Sequence, residues 1–166
     1  AHGARDVRVW PNGTDTEPLP TLPAKRLGAP LRLIALARLA PNKRVDHVVR
    51  ALELLREQGC EAELTVIGWG QDLWRLEAQV NELGLSGAVT FAGRLDDAEK
   101  NAELQKAHLL LHTSMREGWG LNVIEANAMG TPAVVYPVGG LVDSTVHGQT
   151  GLVSEAETPE SLAGTV

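Results

Sequence analysis

Apolar and polar positions follow two alternating rhythms along this chain, and each change of rhythm marks an element. Residues 31–37 form an apolar run bounded by Pro30 and Pro41, the mark of a buried strand. Val45, Val48, Val49, Leu52 and Leu55 then recur at helical spacing until Gly59 stops the helix. Residues 64–67 predict a second strand, closed by Gly68-Trp69-Gly70. Leu73, Leu76, Val80 and Leu83 line the next helix, with Gly84 beyond its end. Residues 89–92 predict a third strand. Asp96 followed three residues later by Glu99 has the form of a capping box opening a third helix. Leu109–His112 predicts a fourth strand, residues 121–129 a fourth helix, residues 133–136 a fifth strand and Leu152-Val153 a short sixth.

Short apolar strands alternating with amphipathic helices imply right-handed crossovers and a mostly parallel sheet covered on both faces. The expected fold is a Rossmann-like three-layer α/β domain over residues 30–166. Residues 1–29 carry Pro11, Gly13, Pro18, Pro20, Pro23 and Gly28, and read as a short strand at residues 7–10 followed by an extended linker.

A length of 166 residues suits one such domain with a full core. The net charge of −6 argues against nucleic acid as a partner, so an anionic ligand must be held by a few local cations and helix ends. One cysteine, Cys60, allows neither an internal disulfide nor a cysteine zinc site and points to a reducing, cytoplasmic compartment. No apolar run reaches the ~18 residues of a membrane-spanning helix. A start at Ala1 rather than Met, and a stop at Val166 just after a helix start at Thr158-Pro159, are expected of a piece of a longer protein.

The stretch with the most chemistry runs from Glu117 to Glu125. Glu117 lies in a glycine-rich loop after the fourth strand, and Glu125 about one turn into the helix that follows. Bare amides of Gly118, Trp119, Gly120 and Leu121 and two carboxylates would then meet above the carboxyl end of a strand, where open α/β sheets bind ligands. Backbone donors suit phosphate, and carboxylates suit sugar hydroxyls; a sugar nucleotide carries both. Arg38 and Lys43 follow the first strand and can reach the same edge. A cation about 4 Å from a phosphate oxygen gains ~4 kcal/mol at an effective dielectric near 20.

Other chemistries fit less well. Gly68-Trp69-Gly70-Gln71-Asp72-Leu73 begins like a dinucleotide fingerprint but has Leu where the third glycine belongs. It reads either as a tight strand-to-helix turn or as a place where a nucleotide approaches closely. There is no Walker A sequence, no His-Glu-x-x-His zinc motif and no Gly-x-Ser-x-Gly elbow. His108 and His112 are four apart but fall on a strand, so they share no helical face and no metal site is expected.

Three ordered stretches resemble the donor-binding half of a retaining glycosyltransferase of family 4, with the double-Rossmann GT-B architecture. They are Arg38-Leu39-Ala40-Pro41-Asn42-Lys43, then Glu117 to Glu125 running on through Gly139-Gly140 and Gly148-Gln149-Thr150-Gly151, and Pro11-Asn12-Gly13-Thr14-Asp15 at the handover between domains. The resemblance implies a nucleoside diphosphate sugar as co-substrate and no metal or other cofactor. Arg38 and Lys43 would hold the diphosphate, and Glu117 with the amides of residues 118–121 would address the transferred sugar and distal phosphate. Glu125 would accept from the ribose hydroxyls. Gly68 and Gly70 would let the nucleotide in, and Arg94 and Leu95 would flank the base. Gly139 and Gly140 would either shape the sugar side of the pocket or form a simple tight turn.

The sequence departs from the family pattern at Trp119, which is expected to pack beneath its loop, at Asn122, and at Leu141-Val142-Asp143. The resemblance places a sugar or lipid-linked acceptor on an amino-terminal half, along with peripheral membrane contact. It implies a parent enzyme that transfers a hexosyl unit with retention, while this piece binds donor without turnover. Both a covalent role for Glu117 and a front-face mechanism fit. The competing readings are a non-catalytic sugar-nucleotide-binding or interaction module, against whose decay the intact Arg38, Lys43, Glu117 and Glu125 argue because a purely structural domain has no need of all four, and an epimerase or phosphorylase. A phosphorylase would require a lysine late in the chain, and none follows Lys106.

Overall fold

The computed structural model describes residues 12–22, 24–25 and 28–166; the strand expected at residues 7–10, and Pro11, lie outside them. Six strands, β1 (Leu31–Leu36), β2 (Ala62–Ile67), β3 (Val89–Gly93), β4 (Leu109–His112), β5 (Ala133–Val135) and β6 (Gly151–Val153), make one parallel sheet in the order β3-β2-β1-β4-β5-β6. Six helices connect and flank them: α1 (Val45–Glu57), α2 (Leu73–Glu82), α3 (Asp97–Lys106), α4 (Leu121–Ala128), α5 (Leu141–Ser144) and α6 (Pro159–Thr165). This is the Rossmann-like α/β architecture expected from the alternating rhythms.

The mostly apolar character of the central strands follows from burial on both faces, while the outer strand β3 is only partly buried. Successive side chains of a strand point to opposite sides. Leu33 and Ala35 of β1 therefore join Leu111 and Val134 beneath α1, α2 and α6, with Val48, Leu52, Leu76 and Leu162 opposite them. Ile34 and Leu36 join Leu110 and Val135 beneath α3, α4 and α5, with Leu104, Val123, Ala126 and Leu141 opposite. Truncating a fully buried leucine such as Leu33 to alanine costs about 2–5 kcal/mol in settings of this kind.

The sequence marks these helix starts clearly. Asp96 accepts from the Glu99 amide at 2.8 Å while the Glu99 carboxylate accepts from the Asp96 amide at 3.1 Å, completing the capping box. Thr158 accepts from the Ser161 amide at 3.2 Å ahead of Pro159 and opens α6. Helix α5 was not expected, because four residues are too few to show a period. Among the described residues before β1, Leu19 and Lys25 are tied to the domain. The Leu19 amide donates to Ala128 O at 3.0 Å, and Lys25 donates to Ala107 O at 2.6 Å at the end of α3.

The strand order fixes where a ligand can sit. The chain winds outward from β1 through β2 to β3, then returns through α3 to place β4 on the other side of β1. The loops leaving β1 and β4 diverge at that reversal and leave a crevice at the carboxyl edge of the sheet.

Candidate functional site

The first wall of the crevice is the segment after β1. Leu39 is buried, Pro41–Lys43 forms a single 3-10 turn, and Arg44 has a left-handed backbone with φ 49°. That conformation is strained for a side chain of this size and persists because its surroundings enforce it. Arg44 Nε donates to Thr113 O at 3.0 Å, and Thr113 Oγ1 lies 2.9 Å from Lys43 O and 2.8 Å from Arg44 O, both acceptors for its proton. The Arg44 guanidinium lies 5.1 Å from the centre of the Tyr136 ring and pairs with Glu157. This network binds the turn to the end of β4 and delivers Lys43 into the crevice. Arg38 is exposed and has no ion-pair or hydrogen-bond partner among the described residues.

Gly68 and Gly70 serve this wall in a way that the sequence left open. A Cβ on Gly68 would lie 1.8 Å from Ala37 O, and one on Gly70 would lie 2.0 Å from Leu39 O. The Leu39 amide donates to Trp69 O at 3.1 Å between them. Both glycines let the loops after β1 and β2 touch, and neither is among the residues that line the crevice. Trp69, held between them, is 57% exposed, and the Arg94 guanidinium lies 5.3 Å from its ring centre. Trp69 and Arg94 line a separate hollow of about 490 Å³. Leu95 instead turns inward and packs against the core beneath α3 and α4.

The second wall is the loop from β4 to α4. Glu117 Oε2 is 2.8 Å from Lys43 Nζ and 3.3 Å from His112 Nε2, and Ser114 Oγ lies 3.4 Å away. The hydrogen bond to His112 and the bond and charge of Lys43 outweigh partial burial and pull the Glu117 pKa down to about 2. It is therefore a carboxylate throughout the neutral range, and no general acid. Gly140 supports the loop from behind. Its φ is 82°, and a Cβ there would fall 2.3 Å from Glu117 O, so only glycine permits the contact. Gly139 is exposed, and a Cβ there would have open space around it. The pair thus forms a turn against the Glu117 loop rather than part of the crevice lining.

Helix α4 begins at Gly120 with no side-chain cap and no acid in its first turn. The amides of Trp119, Gly120, Leu121 and Asn122 have no acceptor among the described residues. Such an end favours an anion. Asn122 Nδ2 donates to Leu36 O at 2.7 Å, tying the helix start to the end of β1. Trp119 lines the crevice and is partly exposed, rather than packing beneath the loop as its sequence position suggests. On the second turn of α4, Glu125 Oε1 accepts from Lys100 Nζ at 3.1 Å. Lys100 also donates to Asp97 Oδ1 at 2.9 Å. Burial lowers the Lys100 pKa, but the two carboxylates outweigh it and the net shift is upward.

Arg38, Lys43, Glu117, Gly118, Trp119, Gly120, Leu121 and Glu125 thus come together around one cleft of about 370 Å³. Gly68, Gly70, Arg94, Leu95, Gly139 and Gly140 stand outside it. The cleft combines a free guanidinium, an ammonium, unpaired amides and two carboxylates. That set can hold a phosphate-bearing group at one end and hydroxyls at the other. Among the described residues no three His, Cys, Asp or Glu side chains cluster to hold a metal ion, and no helix is long and apolar enough to cross a membrane.

Sequence reasoning missed His112, Arg44 and Lys100 as parts of the site. His112 was weighed only as a metal ligand; its position at the end of a strand leading into the Glu117 loop was the available signal. Nothing in the sequence pointed from Lys100 to Glu125.

Comparison with known proteins gives the family and the fold. The profile of the family described as Glycosyl transferases group 1 matches residues 25–166. A glycogen synthase of Mycobacterium tuberculosis is 32% identical over 165 residues, which cover 99% of this chain and 40% of that protein. A GDP-mannose-dependent alpha-(1-6)-phosphatidylinositol monomannoside mannosyltransferase of the same species is 29% identical, over 98% of this chain and 46% of its own length. The chain therefore spans less than half the length of these relatives. The crystal structure of Anabaena HepE in complex with UDP and glucose superposes with a TM-score of 0.71 at 26% identity, over 81% of this chain and 37% of that one. The lipopolysaccharide outer core galactosyltransferase WaaB, in its apo form, shares the fold with a TM-score of 0.77 at 23% identity, over 90% of this chain and 43% of that one. With the matched profile running from the linker to Val166 and enclosing both walls of the cleft, the chain belongs to the Glycosyl transferases group 1 family.

Proposed function

We propose that residues 30–166 are the donor-binding half of a retaining glycosyltransferase of family 4, and that residues 1–29 link it to an amino-terminal half. The whole enzyme moves a hexosyl unit from a nucleoside diphosphate sugar to a hydroxyl acceptor, a sugar or a lipid-linked one, brought by that other half. The observation that carries this reading is the meeting of Arg38, Lys43, Glu117 and Glu125 in one cleft at the β1–β4 reversal. The bound UDP in the HepE structure, and relatives named as a glycogen synthase and a mannosyltransferase, support a nucleoside diphosphate sugar as the ligand.

In this reading the diphosphate lies across the free guanidinium of Arg38, the ammonium of Lys43 and the open amides at the start of α4. As the sugar departs, negative charge grows on the leaving phosphate, and those donors stabilise it without a metal ion. Lys43 bridges the diphosphate and Glu117, so the cationic and anionic halves of the cleft are set at a fixed distance. Glu117 accepts from hydroxyls of the transferred sugar, and Glu125 accepts from the ribose. Trp69 and Arg94 lie on the side where the base extends. Two donors already hold the Glu117 carboxylate and its pKa is near 2, which makes it a weak nucleophile and supports the front-face course.

Calorimetric titration of the chain with UDP, GDP and ADP tests the reading. At least one diphosphate is expected to bind, and Lys43→Ala is expected to weaken it by roughly tenfold or more, the value of a charge-assisted contact. The chain alone is expected to transfer no sugar. Unchanged diphosphate affinity in Lys43→Ala would refute the assignment.

A further inference from the structure

We propose that Lys100 is a positioning residue that makes the cleft selective for a ribose over a deoxyribose, by holding one oxygen of Glu125 and leaving the other for the sugar hydroxyls. The inference rests on the donor-site reading above and extends it to a residue outside the cleft lining. Lys100 stands on α3 and Glu125 on α4, so their contact crosses two helices. Both side chains are mostly buried, 17% and 19% exposed, and the ammonium is shared with Asp97 from the turn below. Among the described residues Oε2 of Glu125 has no hydrogen-bond partner. One oxygen is thus fixed and the other remains free.

Two consequences follow from elementary chemistry. A glutamate has three rotatable side-chain bonds, and a carboxylate anchored at one oxygen has already given up most of that freedom before a ligand arrives. Its free oxygen then meets the vicinal hydroxyls of a ribose in a set orientation. The second consequence is electrostatic. An unpaired Glu125 would repel a diphosphate bound in the same cleft, and the Lys100 charge offsets it. The upward pKa of Lys100 keeps that charge in place through the neutral range. Loss of Lys100 therefore weakens every nucleotide somewhat, but a ribonucleotide more than its 2′-deoxy counterpart. Only the difference reports positioning.

The experiment compares binding of UDP and 2′-deoxy-UDP, or the corresponding GDP or ADP pair if that base binds more tightly, to wild type, Lys100→Met and Lys100→Arg. Wild type is expected to prefer the ribonucleotide by roughly tenfold, the size of a hydrogen bond to a charged group. Lys100→Met is expected to reduce the preference to about twofold, while Lys100→Arg retains most of it. In a Glu125→Gln background Lys100→Met should not change the preference further. If Lys100→Met does not fold, Lys100→Gln takes its place with the same expected loss. A full preference retained in a folded Lys100→Met or Lys100→Gln protein overturns this inference and leaves the donor-site reading standing. A wild type that binds diphosphate without preferring ribose overturns the Glu125 assignment, and this inference with it. A wild type that binds none of the three diphosphates overturns the donor-site reading as a whole.

Discussion

The two cleft carboxylates each pair with a lysine at similar length, 2.8 Å for Lys43–Glu117 and 3.1 Å for Lys100–Glu125, and the pairs are built in opposite ways. Glu117 hangs on a loop. Its backbone is braced by Gly140, and its carboxylate by Lys43, His112 and Ser114. Glu125 sits on α4, whose own hydrogen bonds fix the backbone, and one ammonium from a neighbouring helix completes its support. A carboxylate on a loop needs buried polar scaffolding; one on a helix inherits its position and needs only its last bonds set. The two ends should therefore fail differently when disturbed.

The largest difference is expected from Gly140→Ala. A Cβ at 2.3 Å from Glu117 O, on a residue with φ 82°, forces the Glu117 loop to move. We expect a loss of about 2–4 kcal/mol in unfolding free energy, by denaturant titration. In two-dimensional NMR spectra the amides around Glu117 should shift strongly, while those around Lys100 and Glu125 stay near their wild-type positions. Equal disturbance at both ends would remove the distinction.

Next in size is His112→Phe. His112 is 4% exposed, and its Nε2 faces both Ser114 Oγ at 2.8 Å and Glu117 Oε2 at 3.3 Å. Phenylalanine fills the space but leaves both groups without that partner, at a cost of about 2 kcal/mol. The Glu117 pKa should rise in the variant, read by carboxyl carbon shifts. An unmoved Glu117 titration would mean that Lys43 alone holds the loop end, as Lys100 does at the other.

How far these features could be read beforehand differs between the two ends as well. Largely apolar runs of four to seven residues located β1 to β5 because both faces of the parallel sheet are covered; Arg32, Glu63, Thr65 and Thr90 are the polar residues that interrupt the first three strands. Arg38, Lys43 and Glu117 were legible as candidates because each lies at a strand-to-helix turn, where the fold itself aims residues at the carboxyl edge, and Glu125 because it sits early in the helix that such a turn opens. The partners were not. His112 sits in a strand that looks purely structural, and Lys100 reaches Glu125 across 25 residues of sequence. The glycines at 68 and 70 announced a close approach without saying to what; the neighbour is the loop of Ala37 and Leu39, far away in sequence. Local rules fix backbone geometry, whereas contacts between elements depend on how the whole sheet is assembled.

A smaller effect is expected from acid. The Glu117 carboxyl titrates near 2 in the folded chain against an ordinary value of 4.5. A depressed carboxylate stabilises the fold fully above the unfolded value, and that contribution is lost as pH falls from about 4.5 towards 2. Its side chain is 22% exposed, so solvent screening trims the contribution to about 1 kcal/mol. Measured by urea unfolding, Glu117→Gln should flatten the decline in stability across that window. An identical decline in both proteins would place the acid sensitivity elsewhere.

The smallest effect sharpens the comparison from the helix end. Asp97 also binds Lys100, at 2.9 Å, but its side chain is 93% exposed, whereas Glu125 is largely shielded. An ion pair so open to water contributes about 0.5 kcal/mol or less, and salt weakens it further. Asp97→Asn should therefore leave both thermal unfolding and ribose preference nearly unchanged, because the cross-helix bond to Glu125 persists. If Asp97→Asn instead abolished the ribose preference, Lys100 would be held by its own helix before it could hold Glu125. The helix end would then depend on a chain of polar supports, as the loop end does.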